Sequence, residues 1–313
     1  MKIFTRIFSL ILISSCINHS KESVSYYPPE NANYQYEEVG IRLHDGDILA
    51  GSMTFPKPVI QKCPVAILIT GSSPHDRDNS SPEKPLNAYR PFRQIAHLLS
   101  SNGIAVLRVD DRGVGKSKGG NINEMNTLDR AGDIEECISY IKRRHEFDRT
   151  RICLIGLSEG ASIAHLIAAK DSTIKIIALL SAVGSKGSDV INFQIKNGLI
   201  PAGDLTRRLK QEPNMRFLYD YDPIETIRLI HQPVLIISGE RDRRVPASDA
   251  YILADELQKT GNGNVSVHIL PDYNHLLLKE DSAGIQSGYG MISSNQLPEE
   301  VLDIIMNWIL LEI

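Results

Sequence analysis

The chain has 313 residues, of which 42% are hydrophobic and 23% charged, an ordinary globular composition able to bury one large core. Its 34 Lys and Arg stand against 38 Asp and Glu, for a net charge of -4. That balance provides no basic field and sets nucleic acid aside as a partner.

The amino terminus reads as a targeting segment. Lys2 and Arg6 precede an apolar-rich run from Ile7 to Ile13, and Ser14 and Ser15 lead directly to Cys16, the layout of a secretory signal. The run is shorter than the ~20 apolar residues that a bilayer span needs. Ile13-Ser14-Ser15-Cys16 also resembles a bacterial lipobox. That likeness implies a signal peptide over residues 1–15, a lipid on Cys16, and an exported lipoprotein held by it at a membrane of the cell envelope. A plain signal peptide with a secreted or soluble periplasmic product is the alternative. Residues 16–35 are polar and proline-punctuated, suited to a tether, which leaves 36–313 as one domain. Cys63, Cys137 and Cys153 show no metal-like spacing; the last two fall in apolar segments, as small buried side chains without an essential disulfide.

Tyr36 to Met53 alternates and turns at His44-Asp45-Gly46-Asp47, which predicts an antiparallel hairpin at a sheet edge. Val65 to Ile69 is continuously apolar, as in a strand buried on both faces, and stops at Thr70-Gly71-Ser72-Ser73-Pro74. After a loop, Phe92, Ile95, Ala96 and Leu99 fall at helical spacing, and Ile104 to Val109 gives the next strand. Leu128, Ala131, Ile134, Ile138 and Ile141 mark an amphipathic helix before a strand bounded by Arg151. Further strands are predicted at Ile174 to Leu180, Val234 to Ile237 and Val265 to Ile269. Helices are predicted after Ser158, over about Ser248 to Gln258, and at the end, where Val301, Ile304, Ile305, Trp308 and Ile309 form an apolar face. Strands alternating with helices predict an α/β fold, a mostly parallel sheet with helices on both faces. Residues 185–230 are too long for a plain crossover and read as a small cap over the carboxyl ends of the strands, or else as a surface insertion.

Chemistry centres on Gly156-Leu157-Ser158-Glu159-Gly160, between a strand and a helix. A serine on such a tight turn is pushed out of the backbone surface, and only residues without a Cβ fit at the flanking positions. A serine hydroxyl is a weak nucleophile, so it needs a base and a group to orient that base. On this topology the acid follows a buried strand, where Asp242 is the choice and Glu240 the runner-up; the base follows the last strand, at His275. His75 competes, since its loop should face the site, whereas His97 and His165 sit inside helices. Oxyanion donors would be the backbone N–H groups of Glu159 and of Ser72 or Ser73, with Ser72 preferred.

The Gly-Leu-Ser-Glu-Gly turn, the Gly239 to Pro246 loop and Tyr273-Asn274-His275 follow one another in the order of the α/β-hydrolase superfamily. Thr70 to Asp78, Asp110 to Ser117, Arg216 to Pro223 and Gln232 to Leu235 look like bacterial carboxylesterases grouped with serine aminopeptidase-like hydrolases. The resemblance spans about residues 36–312. It implies Ser158 as nucleophile, His275 as general base and acid, Asp242 as orienting carboxylate, and Ser72 with Glu159 as oxyanion donors. It further implies hydrolysis of small to medium acyl esters through an acyl-enzyme, with no metal or organic cofactor. The loop departs in having Ser72-Ser73 where related esterases commonly have Ser-Gly. Arg77 and the Asp111-Arg112-Gly113 segment look structural in this group. An aminopeptidase or acyl-peptide hydrolase is a second reading, and a non-catalytic binding module on the same scaffold a third.

Overall fold

A computed structural model of the chain describes residues 31–57, 62–72, 74–81, 86–120 and 124–313. Cys16, the expected lipid site, and residues 1–15, expected as a signal peptide, lie outside them. In chain order the elements are β1 (Tyr34–Arg42), β2 (Ile48–Pro56), β3 (Cys63–Ile69), α1 (Pro91–Ser101), β4 (Ala105–Val109), α2 (Thr127–Arg143), β5 (Phe147–Leu157), α3 (Glu159–Ala168) and β6 (Ile174–Leu180). Four helices follow: α4 (Gly187–Lys196), α5 (Leu205–Gln211), α6 (Pro213–Asp220) and α7 (Ile224–Ile227). The chain closes with β7 (Val234–Gly239), α8 (Asp249–Lys259), β8 (Val265–Leu270), β9 (Glu280–Ser287), β10 (Gly290–Ile292) and α9 (Glu299–Glu312).

Eight strands form one sheet in the order β1-β2-β4-β3-β5-β6-β7-β8. The first two pair antiparallel at one edge, as the alternation at Tyr36 to Met53 predicts, and the strands from β4 to β8 run parallel. Every residue of β3 is buried, and its side chains divide by the period of a strand. Val65, Ile67 and Ile69 face a core shared with α2, α3 and α8, while Ala66 and Leu68 face one shared with α1 and α9. Helices therefore cover both faces. Among the described residues no helix is long and apolar enough to cross a membrane.

Two features depart from the periodicity. Leu128, on the predicted apolar face of α2, is 48% exposed; it sits in the capped first turn, where Asn126 Oδ1 accepts from its N–H while Asp129 accepts from the Asn126 N–H. Residues 280–292 form a two-stranded hairpin that the sequence does not announce, since Glu-Asp-Ser-Ala-Gly-Ile-Gln-Ser has neither alternation nor strong strand formers.

The segment between β6 and β7 holds the four helices α4 to α7, with a small core of its own around Ile191, Ile200 and Met215. Its entrance is pinned by the buried Asp249 carboxylate, which accepts from Gly184 N, Ser185 N and Ser185 Oγ at 2.9, 3.0 and 2.6 Å. Cys63, Cys137 and Cys153 are buried and free.

Candidate active site

The parallel strands deliver their carboxyl ends to one rim of the sheet, where loops carry side chains onto a rigid frame. At the end of β5, Ser158 has φ 57° and ψ -118°, a conformation that costs about 1–3 kcal/mol for a residue with a side chain. Its neighbours make room for that turn. A Cβ on Gly156 would lie 2.1 Å from the Gly160 carbonyl oxygen, and one on Gly160 would lie 2.1 Å from that of Ile69. Both glycines are required by close backbone approach.

His275 is buried, and its Nδ1 lies 2.7 Å from Asp242 Oδ2. A carboxylate has no proton to give, so the bond puts the imidazole proton on Nδ1 and leaves the Nε2 lone pair as the acceptor. The other carboxylate oxygen, Oδ1, accepts from the Arg244 and Val245 N–H groups at 2.7 and 2.9 Å, which fixes the acid in its loop. Glu240, the alternative acid, is exposed, whereas Asp242 is 4% exposed.

Ser158 and His275 are tied to one another through a dipeptide at the end of β6. The Ser158 N–H donates to the Leu180 carbonyl at 2.8 Å, and the next residue, Ser181, donates from Oγ to the His275 carbonyl at 2.8 Å. Ser181 is fully buried with φ 49°, another strained position at the rim. It carries no signal in the sequence, since it follows an apolar strand with no motif around it. Among the described residues no hydrogen bond joins Ser158 Oγ to His275 Nε2; catalytic hydrogen bonds are often long before substrate binds.

The loop after β3 lies against the serine turn: a Cβ on Gly71 would be 3.6 Å from Ser158 Cβ. The Gly71 N–H is held by Asn79 Oδ1 at 3.0 Å, and Ser72, the preferred oxyanion donor, is exposed beside it. Ser73 lies outside the described residues. The Glu159 N–H opens the first turn of α3, where a helix leaves amides without intrahelical partners. His75, the competing base, faces two carbonyls, those of Ser72 at 3.0 Å and Ser80 at 3.3 Å, so it serves its own loop.

Under the turn lies a buried polar network that the sequence did not disclose. The Glu159 carboxylate, 3% exposed, accepts from Thr127 Oγ1 at 2.8 Å, from Asn214 Nδ2 at 3.0 Å and pairs with Arg130 at 3.2 Å. Arg130 also donates to the Thr70 carbonyl at 3.2 Å and pairs with Asp111, which in turn accepts from the His75 N–H. Burial pulls the Arg130 guanidinium down, but Asp111 and Glu159 carry it net upward, so it stays charged. The only signal in sequence was a charged residue at an inward position of α2. Arg77 is likewise wholly buried, bonded to Asp110 at 2.9 Å and to Glu38 at 3.1 Å, and ties the loop to the sheet.

Fold and family together define a serine hydrolase of α/β-hydrolase architecture. The chain belongs to the prolyl oligopeptidase family, whose model matches residues 90–288, more than half of the chain. It is 25% identical over 309 residues to the esterase EstD of Thermotoga maritima, covering 92% of this chain and 70% of that protein. It is 22% identical over 273 residues to acylamino-acid-releasing enzyme 2 of Oryza sativa subsp. japonica, covering 84% of this chain but 33% of that enzyme. Among solved structures, an acylaminoacyl peptidase of Pyrococcus horikoshii superposes with a TM-score of 0.65 at 17% identity, over 90% of this chain and 42% of that one. Est1E of Butyrivibrio proteoclasticus does so at 0.61 and 21% identity, over 88% and 98%.

Proposed function

We propose that the enzyme is a carboxylic ester hydrolase working through Ser158, His275 and Asp242. The reading is carried by the buried 2.7 Å contact between Asp242 and His275 at the rim where the strained Ser158 turn emerges. In the first half-reaction Ser158 Oγ gives its proton to His275 Nε2 and attacks the ester carbonyl carbon. The Ser72 and Glu159 N–H groups meet the oxyanion, each worth about 3 kcal/mol where such donors have been removed elsewhere. Collapse of the tetrahedral intermediate expels the alcohol, which takes the proton from His275, and leaves an acyl-serine. Water then gives a proton to His275, attacks the acyl carbon and releases the acid, returning the proton to Ser158 Oγ.

The ester reading is favoured by likeness to EstD over most of this chain; cleavage of N-acylated peptides is the second reading, favoured by likeness to the acylamino-acid-releasing enzymes. Hydrolysis of p-nitrophenyl esters of increasing acyl length, against N-acetylated peptide amides, separates the two. The ester reading expects kcat/KM for the best ester to exceed that for any acyl-peptide by at least ~100-fold, a gap of about 2.7 kcal/mol. Comparable or greater peptide turnover would transfer the enzyme to the second class.

A further inference from the structure

The hairpin between His275 and α9 ends at the catalytic imidazole. Tyr289, at its turn, lies parallel to the His275 ring, with centroids 6.4 Å apart and planes 4° from parallel. The turn that presents it is held by the Ser287 hydroxyl: the Tyr289 N–H donates to Ser287 Oγ at 3.1 Å, and Ser287 Oγ donates to the Gly290 carbonyl at 2.8 Å. Gly290 has φ 119°, and a Cβ there would fall 2.1 Å from Glu280 Oε1. The backbone that carries Tyr289 is therefore closely held. A further contact comes from the acid's own loop, since the Arg244 guanidinium carbon lies 4.6 Å from the Tyr289 ring centroid. Arg244 is two residues from Asp242, and the insertion holds its carbonyl through Gln194 Nε2 at 3.0 Å.

His275 is fixed at its carbonyl by Ser181 and at Nδ1 by Asp242. Those two bonds leave one motion open, a swing of the ring plane about the Nδ1 contact. The plane matters because a general base must direct its lone pair at the proton it takes, and small displacements of aligned groups cost large factors in rate. A flat aromatic neighbour opposes that swing, and offset parallel rings at this separation attract.

Resting on His275 as the base, we propose that Tyr289 is a positioning residue: its ring sets the plane of the His275 imidazole, and Arg244 steadies that ring from the loop that carries Asp242. The hairpin is then part of the catalytic apparatus and not a surface ornament. The element that holds the base and the element that holds the acid are coupled through one aromatic side chain.

The test is kcat and KM on p-nitrophenyl acetate, a small neutral ester that makes little use of distant binding contacts. Tyr289→Leu should lower kcat ~10-fold with KM kept within ~2-fold, and Tyr289→Phe, which keeps the ring, should recover wild-type kcat within ~2-fold. Arg244→Met should lower kcat ~3-fold, while Arg243→Met, whose guanidinium faces Glu280 at 3.8 Å, should leave it unchanged. Wild-type kcat in Tyr289→Leu, a loss that Phe does not restore, or a change in KM alone would overturn the proposal. If the Leu variant does not fold, Arg244→Met decides: lowered kcat at constant KM supports the coupling, and unchanged kcat rejects it. His275→Ala run beside them keeps the two readings apart. Turnover surviving in that variant removes the base itself, whereas its loss with Tyr289→Leu unaffected removes only the positioning role.

Discussion

At the scale of single residues, the site depends on side chains held by more than one partner. Asp242 receives two backbone N–H groups on one oxygen and the imidazole on the other, so its charge is fixed in place and in direction. Asp242→Asn keeps the shape but presents an amide that can favour the wrong imidazole tautomer, and kcat should fall on the order of 10⁴-fold. Glu240→Gln, on an exposed neighbour, should change kcat by less than ~2-fold, within the range of surface substitutions. Measured together on one ester, equal losses in the two variants would show that the acid has been misassigned. Ser158, Asp242 and His275 can be proposed from sequence because each type falls where this topology would place it, and the fold brings Asp242 and His275 to 2.7 Å. Ser181 and Tyr289 were not legible, because their contacts are made across 94 residues in one case and by a hairpin with no strand signature in the other.

Among the elements, α3 carries two demands in its 10 residues. Its first turn carries the Glu159 N–H proposed above as an oxyanion donor, and its interior buries His165, whose ring stacks on Tyr221 of the insertion at 6.1 Å. Burial pulls the His165 imidazole down to about 3. An unfolded histidine takes up a proton near pH 6.5, so between about pH 6.5 and 3 the unfolded chain holds more protons and stability rises with pH. That contribution is complete above pH 6.5 and is lost as the pH falls toward 3. At pH 5 the loss is about 2 kcal/mol relative to pH 7. Urea unfolding at the two pH values should show a drop larger by that amount in wild type than in His165→Phe; parallel drops would contradict the burial of a neutral imidazole. The insertion was legible as an excess of length, since a crossover does not need so many residues. Its contact with the site was not, because Asn214 reaches Glu159 across 55 residues through a packing that no local pattern encodes.

For the whole molecule, the alternation of apolar runs and amphipathic stretches was enough to foresee the parallel sheet, since strands buried on both faces read as near-continuous apolar runs and parallel crossovers need helices. Strand order and the buried polar networks lay beyond that pattern. Arg77 could be read from its loop as structural, but its pairing with Asp110 and that of Arg130 with Glu159 are made only when the sheet assembles. These networks bind the loop after β3, the loop after β4 and the serine turn into one body, which would keep the proposed oxyanion donors beside Ser158. Reaction of the purified protein with a fluorophosphonate, followed by mass spectrometry, tests this arrangement most directly. One adduct on Ser158 should form, in step with loss of ester hydrolysis, and neither adduct nor hydrolysis should be seen in Ser158→Ala. Hydrolysis persisting in Ser158→Ala, or an adduct on another serine that accounts for the lost turnover, would contradict the assignment of the active site.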